Sequence, residues 1–305
     1  MTFPIMPVTN PVLEPGASWQ AVGGLGGTVD LHKLSVSPNG VWIAARANVV
    51  GTVSRSTDYG TSWANATTPS TDTFGSFASA YGEGLFIVGD WGGNELYSSA
   101  DGSSASWTVR STGSRDNYAV SYNDGYFVCG SGTAGGNGFS NTSADGTTWV
   151  YGAQGSIGSG SGACGIYVAS LNRTFVGGNQ YRYVNDIPTA ATAWTGSSTG
   201  LSGRITDIAW SPTAAIGVVT GPSGIYSSTD LITWTLRNST STMNGVSWCD
   251  TQFVAVGASG AIRTSPDGTT WTSRTSGTTN ALHGAAFYNG VILVVGYGGT
   301  VLRSS

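Results

Sequence analysis

One short pattern recurs along this chain and constrains its fold more than any other feature. It reads Ser, any residue, Asp, a Gly one or two positions on, then hydroxylated residues and Trp. Its clearest copy is Ser56-Thr-Asp58-Tyr-Gly60-Thr-Ser-Trp63. A one-residue-shorter form occurs at Ser143-Ala-Asp145-Gly146-Thr-Thr-Trp149 and at Ser265-Pro-Asp267-Gly268-Thr-Thr-Trp271. Ser99-Ala-Asp101-Gly102 leads to Trp107 through a changed turn, and Ser228-Thr-Asp230-Leu-Ile-Thr-Trp234 lacks the Gly. Asn185-Asp186 followed by Trp194 is an eroded copy. With Trp19, the tryptophans at 19, 63, 107, 149, 194, 234 and 271 are spaced by 44, 44, 42, 45, 40 and 37 residues. A period near 40 with strand-like content is the signature of four-stranded propeller blades.

Each unit reads alike. In the sixth, Gly245–Cys249, Phe253–Gly257, Ala261–Thr264 and Thr270–Arg274 are four strands, and the Asp turn joins the last two. The final unit repeats the first three strands and stops at Ser304-Ser305, where its Asp turn would begin. The missing strand has a match at the other end, where Ala17-Ser18-Trp19 resembles Thr61-Ser62-Trp63. The N-terminal strand is therefore expected to complete the C-terminal blade, leaving no open edge. The expectation is all-β: a single seven-bladed propeller over 17–305, preceded by an extended arm, 1–16. That arm holds Pro4, Pro7, Pro11 and Pro15, which cannot donate to a central strand.

Composition bounds the partners. Charged residues are 9% of the chain, against about 25% in ordinary domains, and the net charge is -4. No basic field exists to hold a phosphate backbone, so nucleic acid is not expected as a partner. No apolar run approaches membrane-spanning length, so no membrane insertion is expected. Cys129, Cys164 and Cys249 are odd in number and lack a CxxC pair, so they read as small buried thiols. Residues 1–15 have neither a charged n-region nor an apolar h-region, which implies synthesis in a host cytoplasm without a signal peptide.

On these motifs the chain resembles the Asp-box, or bacterial neuraminidase repeat, superfamily. Its members include sialidases, xyloglucan-type glycoside hydrolases, sortilin-like receptors and photosystem assembly factors. The resemblance implies that Asp58, Asp101, Asp145, Asp230 and Asp267 are scaffold. Such an Asp accepts hydrogen bonds from turn amides, the Gly supplies a positive φ, and the Trp packs between blades. It also implies what a sialidase would need: three converging arginines, a Tyr–Glu nucleophile pair, an acid–base Asp and an Arg-Ile-Pro-like segment. None is present. Glutamates occur only at 14, 83 and 95, and Glu95 has no obvious carboxylate partner beyond Asp90 in the same loop. His32 and His283 lie just before innermost strands with no nucleophile elbow nearby; His283 reads as funnel-lining or capping. No cluster has metal-ligand spacing. The chain is expected to be no enzyme and to use no cofactor or metal.

Binding loops vary most in length, and here those are the loops between second and third strands. Asp90, Trp91, Asn94 and Glu95 form one such loop, Gly130–Gly138 a second, and Asn179 to Tyr183, with Tyr181, Arg182 and Tyr183, a third. Arg115 and Tyr297 join the same face. Aromatic rings flanked by amides and charge grip sugars by stacking; the alternative is that Trp91 and Tyr181 pack on neighbouring loops. The reading is a non-enzymatic virion protein of a tailed bacteriophage, tail-associated or displayed to bind a host surface glycan, with other virion proteins held through the N-terminal arm. Alternatives are a capsid decoration or spike protein, a glycan-processing hydrolase, and a photosystem assembly factor.

Overall fold

The computed structural model describes residues 19–23, 25, 29–71, 76–90, 95–111, 117–132, 138–151, 164–178, 181–185, 200–239 and 241–304. These residues form an all-β propeller of four-stranded antiparallel blades. In the blade of residues 243–274, Met243–Cys249 is innermost, followed by Gln252–Gly257, Ile262–Ser265 and Thr272–Arg274. Glu83-Gly84, Asp124-Gly125 and Asn289-Gly290 turn the first strand into the second, each with two successive positive φ angles. That is the hairpin chemistry whose backbone twist matches the flanking strands.

The blade count departs from the expected seven. Six four-stranded sheets are complete among the described residues. Between the sheets of residues 117–151 and 207–238 lies a three-stranded one: Cys164–Val168, Arg173–Gly177 and Tyr181–Asn185. Trp194, on which a fourth strand was expected there, lies outside the described residues, as does the arm 1–16.

The chain ends meet as their complementary truncation predicts. Trp19–Ala21 pairs antiparallel with Val301–Ser304 in the register Trp19 to Ser304, Gln20 to Arg303 and Ala21 to Leu302. The Val22 amide extends the ladder to the Val301 carbonyl at 3.1 Å. Trp19, 9% exposed, packs into a cluster with Val254, Val256 and Ile262 of the blade before and Leu282, Val294 and Leu302 of its own. Most of the core is built this way, across the gap between blades. Trp107 joins Ile43 and Val53 to Phe86 and Val88, and Trp234 joins Ile166 and Phe175 to Ile208 and Val219.

The Ser-x-Asp turns explain their own sequence. In the turn at 265–268, Ser265 Oγ donates to Asp267 Oδ1 at 3.0 Å and accepts from the Gly268 amide at 2.8 Å. Asp267 Oδ1 also accepts from the Thr269 and Thr270 amides, both at 2.8 Å. Asp58, Asp101, Asp145 and Asp230 likewise accept from amides of their own turns. Burial alone would raise the Asp267 pKa, but these bonds outweigh it and hold the carboxyl well below the usual range. Asp101 is lowered to about 2, chiefly by the Ser106 hydroxyl and then the Ser103 amide. The glycine has a second reason to be glycine. A Cβ on Gly102 would lie 2.5 Å from Ile43 Cδ1, and one on Gly60 2.5 Å from Leu293 Cδ1, each on the preceding blade. All three thiols are buried and unpaired, and burial pushes their pKa values upward.

Deleting residues 1–22 is expected to cost on the order of several kcal/mol, because Trp19 leaves its cluster and Val301–Ser304 becomes a bare edge. Denaturant unfolding measures it, and an unchanged midpoint would refute the closure. Asp267→Ala is expected to lose about 1–2 kcal/mol, since two turn amides lose a charged acceptor. Asp267→Asn, which keeps an acceptor oxygen, should lose less; equal losses would show that the carbonyl-like oxygen contributes nothing.

Candidate functional site

The innermost strands start on the face that carries the loops between second and third strands, and the Ser-x-Asp turns lie on the opposite face. Five of the innermost strands slip register near their start. The slips fall between Leu31 and Leu34, Ser76 and Ala78, Asn117 and Ala119, Met243 and Gly245, and Leu282 and Gly284. Such irregularities re-aim side chains at the rim of a sheet. Here they set His32, Lys33, Asn244 and His283 around one end of the central channel. Asn244 Nδ2 bonds the Leu282 carbonyl of the next innermost strand at 3.0 Å.

Three rings gather at this mouth. The His32 and His283 rings, from neighbouring innermost strands, have centroids 4.7 Å apart at 35°. Tyr297 stacks on His283 at 4.3 Å and 29°, and lies 5.8 Å from His32. Tyr297 sits in the 3-10 turn Tyr297–Gly299, tied by its amide to the Ala281 carbonyl at 2.9 Å, and is 40% exposed. Lys33, the one lysine of the chain, forms an ion pair with Asp207, whose Oδ2 also accepts from the Val246 amide at 2.8 Å. The strands carrying Lys33 and Asp207 are not neighbours in the ring, so this pair reaches across the channel. Asp30 accepts from the Gly298 amide at 3.2 Å.

The electrostatics follow from that crowding. Burial, then His283 and Lys33, lower the His32 pKa to about 3. Burial and Lys33 lower that of His283 to about 4, against a raising influence from Asp30. Burial, and then Asp30, raise that of Tyr297. At neutral pH the mouth therefore presents two uncharged imidazoles and a phenol above a neutralised ion pair. The His283 Nε2 atom is buried with no hydrogen-bond partner among the described residues. No group of three or more His, Cys, Asp or Glu among the described residues could hold a metal ion.

The expected binding residues fare unevenly. Tyr297 is where its loop placed it and meets both histidines. These lie within the innermost strands Asp30–Val36 and Leu282–Tyr288 rather than just before them. Glu95 opens the strand Glu95–Ser99, is half-buried, and accepts from Tyr97 Oη at 2.9 Å. Asp90 ends the strand Leu85–Asp90, paired with Ser76. Trp91, Asn94 and Arg115 lie outside the described residues. Tyr181, Arg182 and Tyr183 are corrected from loop to strand: they pair with Gly177, Val176 and Phe175. Sequence reasoning did not bring Lys33 and Asn244 into the site. The paired segments Met243-Asn-Gly245 and Leu282-His-Gly284, polar residues between an apolar residue and Gly at equivalent places, were the available signal.

Fold and mouth together define a β-propeller with a polar and aromatic channel entrance. No family model matches the chain, and no curated protein matches its sequence. Among solved structures it is similar to the WD40 β-propeller domain of Doa1, with TM-score 0.69 and 14% identity over 94% of this chain and 97% of that one. YCF48 bound to D1 peptide gives TM-score 0.66 and 16% identity over 95% and 96%. YCF48 from Cyanidioschyzon merolae gives 0.67 and 17% over 94% and 99%. At these identities the likeness shows the propeller fold alone.

Both imidazoles are held neutral in the fold, whereas unfolded histidine protonates near pH 6.5. Stability is therefore expected to be complete above about pH 6.5 and to fall as pH drops toward the folded values. The turn aspartates lose their contribution only below about pH 4, so the window from 6.5 to 4.5 belongs to the histidines. Unfolding midpoints across that window should flatten in the His32→Asn, His283→Asn double variant. An unchanged slope in the variant would refute the assignment.

Proposed function

We propose that this chain is a non-enzymatic binding propeller of a tailed-bacteriophage particle that presents its loop face to a host surface glycan. The observation that carries the reading is the channel mouth, where a half-exposed Tyr297 is backed by two neutral imidazoles. An exposed ring on a rigid support is what stacking against a sugar requires, and exposed apolar surface of this kind marks interaction sites. The carboxylates support the non-catalytic part: the Asp of each Ser-x-Asp turn is engaged by turn amides, Asp207 by Lys33, and Glu95 by Tyr97. The low charge and Gly-rich, hydroxyl-rich blades support a place on a particle surface, with the arm 1–16 contacting other particle proteins.

On this reading the chain is an Asp-box propeller of seven blades, with Cys164–Asn185 as the inner three strands of the fourth. The innermost strands support that count, since those at 30–36, 76–82, 117–123, 164–168, 207–211, 243–249 and 282–288 pack in sequence, and the last returns to the first. A second reading, a peptide as the ligand, is favoured by the similar propeller solved with a D1 peptide.

Binding to purified host envelope glycans tests the proposal. Tyr297→Ala is expected to weaken binding about tenfold, in line with the ~1–1.5 kcal/mol typical of an aromatic contact, while the unfolding midpoint stays within error. Release of reducing ends from those glycans would instead support a hydrolase. Binding of peptides but not glycans would favour the second reading.

A further inference from the structure

A positive charge lies in the seam between the blades of residues 30–67 and 282–304. On the strand Trp42–Ala47, Trp42 and Ala44 face the latter blade, where they pack with Leu293, Val295 and Val301. Ile43 turns the other way, to Phe86 and Val88. Arg46 shares the phase of Trp42 and Ala44 and enters the same wedge. It is 6% exposed.

The guanidinium crosses one strand to reach the next. Ala44 pairs with Ser54, and Ser54 with Asn65, so these three stand in a row on the wedge side. Arg46 Nη1 donates to Asn65 Oδ1, and to do so the side chain passes over the fully buried Ser54. Asn65 itself is exposed, so the far end of the guanidinium meets the surface. Arg46 Nε and Ser54 Oγ, on neighbouring strands of one face, are both buried with no hydrogen-bond partner among the described residues.

No Asp or Glu among the described residues pairs with Arg46, and burial alone acts on its pKa, lowering it. A guanidinium nonetheless keeps its proton at neutral pH. A charge held in a wedge is costly unless an opposite charge reaches it. Lys33 in the channel is answered by Asp207, whereas Arg46 is answered by a neutral amide.

We propose that Arg46 and Ser54 hold a small monovalent anion of chloride size in this wedge. The anion accepts from the Nε–H edge and from the Ser54 hydroxyl, and neutralises the guanidinium where it is buried. Single charge follows from the single guanidinium, since a dianion would carry an unmatched charge into the same place. Small size follows from the close packing, with Ala44 and Ser54 fully buried beside it. The site exists only in the closed ring, so the ion stabilises the closure made by the two chain ends. It is independent of what the channel mouth binds.

Unfolding midpoints in sodium chloride and in sodium gluconate at equal ionic strength test this, since the two salts screen charge alike. Chloride is expected to raise the folded-to-unfolded ratio saturably, about tenfold at ten times its Kd, relative to gluconate. Broadening of the chloride NMR signal by the protein gives the direct reading. Arg46→Met, which keeps the length and removes the charge, should abolish both the salt difference and the broadening. Ser54→Ala should raise the chloride Kd about tenfold, the worth of one hydrogen bond to a charged group. Arg274→Met removes an arginine from another blade and should leave both readings unchanged. If Arg46→Met does not fold, Ser54→Ala and the NMR reading decide. Equal midpoints in the two salts would assign the two atoms to water and overturn the proposal. A salt difference or broadening that survives Arg46→Met, or an unchanged Kd in Ser54→Ala, would overturn it as well.

Discussion

The β-carbon that Gly102 lacks would sit 2.5 Å from a methyl group of Ile43, one blade back, and Gly60 stands in the same relation to Leu293. This contact between a turn and the blade before it is the constraint on which the rest of the molecule depends. A blade is a single twisted sheet and cannot bury both of its faces alone. Its apolar side chains find cover only in the wedge shared with a neighbour, as Trp19, Trp107 and Trp234 do. The Ser-x-Asp turn holds the strand that delivers this Trp, and its glycine lets the turn approach the facing wall. Stability is thereby distributed over the gaps between blades, so an unclosed ring would leave two apolar walls facing water. The pairing of Trp19–Ala21 with Val301–Ser304 prevents this.

The same geometry sets the polar interior. Innermost strands converge on the axis, where carbonyls of one strand meet side chains of the next: Ser247 Oγ bonds the Ala285 carbonyl at 2.6 Å, and Thr206 Oγ1 the Met243 carbonyl at 3.0 Å. Lys33 and Asp207 face each other there from opposite sides of the ring, partly shielded from water. A lone ammonium in that position would be costly, and the carboxylate across the channel offsets it. Lys33 in turn opposes protonation of the two histidines beside it. The mouth consequently presents neutral imidazoles and a phenol beside the Asp30 carboxyl, with an ion pair beneath, an arrangement suited to hydrogen bonding and stacking.

The two faces divide the labour. On one, the aspartates are occupied with turn amides, and their local bonding leaves little capacity for a ligand. On the other lie the register slips and the 3-10 turn of Tyr297. A propeller of this kind tolerates change on the second face because the wedges between blades do not depend on it. Similarity in shape to structures only 14–17% identical is the expected consequence.

Repeat length, the bonding within the Ser-x-Asp turns and the meeting of the two chain ends were all legible in the sequence. Each depends on local chemistry or on matching copies of one unit: Asp267 reaches amides two and three residues on, and Trp19 fits the place that Trp63 fills. The placement of Tyr181, Arg182 and Tyr183 was not legible as strand, because a polar and aromatic triplet beside Gly and Asn satisfies loop and strand patterns equally. Nor were the register slips at His32 and His283, whose effect is to turn one side chain by an amount that period-two reasoning does not capture. The pairing of the only lysine with Asp207 belongs to the tertiary structure. It depends on the radius of the ring and the angle between blades, which are set by the summed packing of every wedge at once.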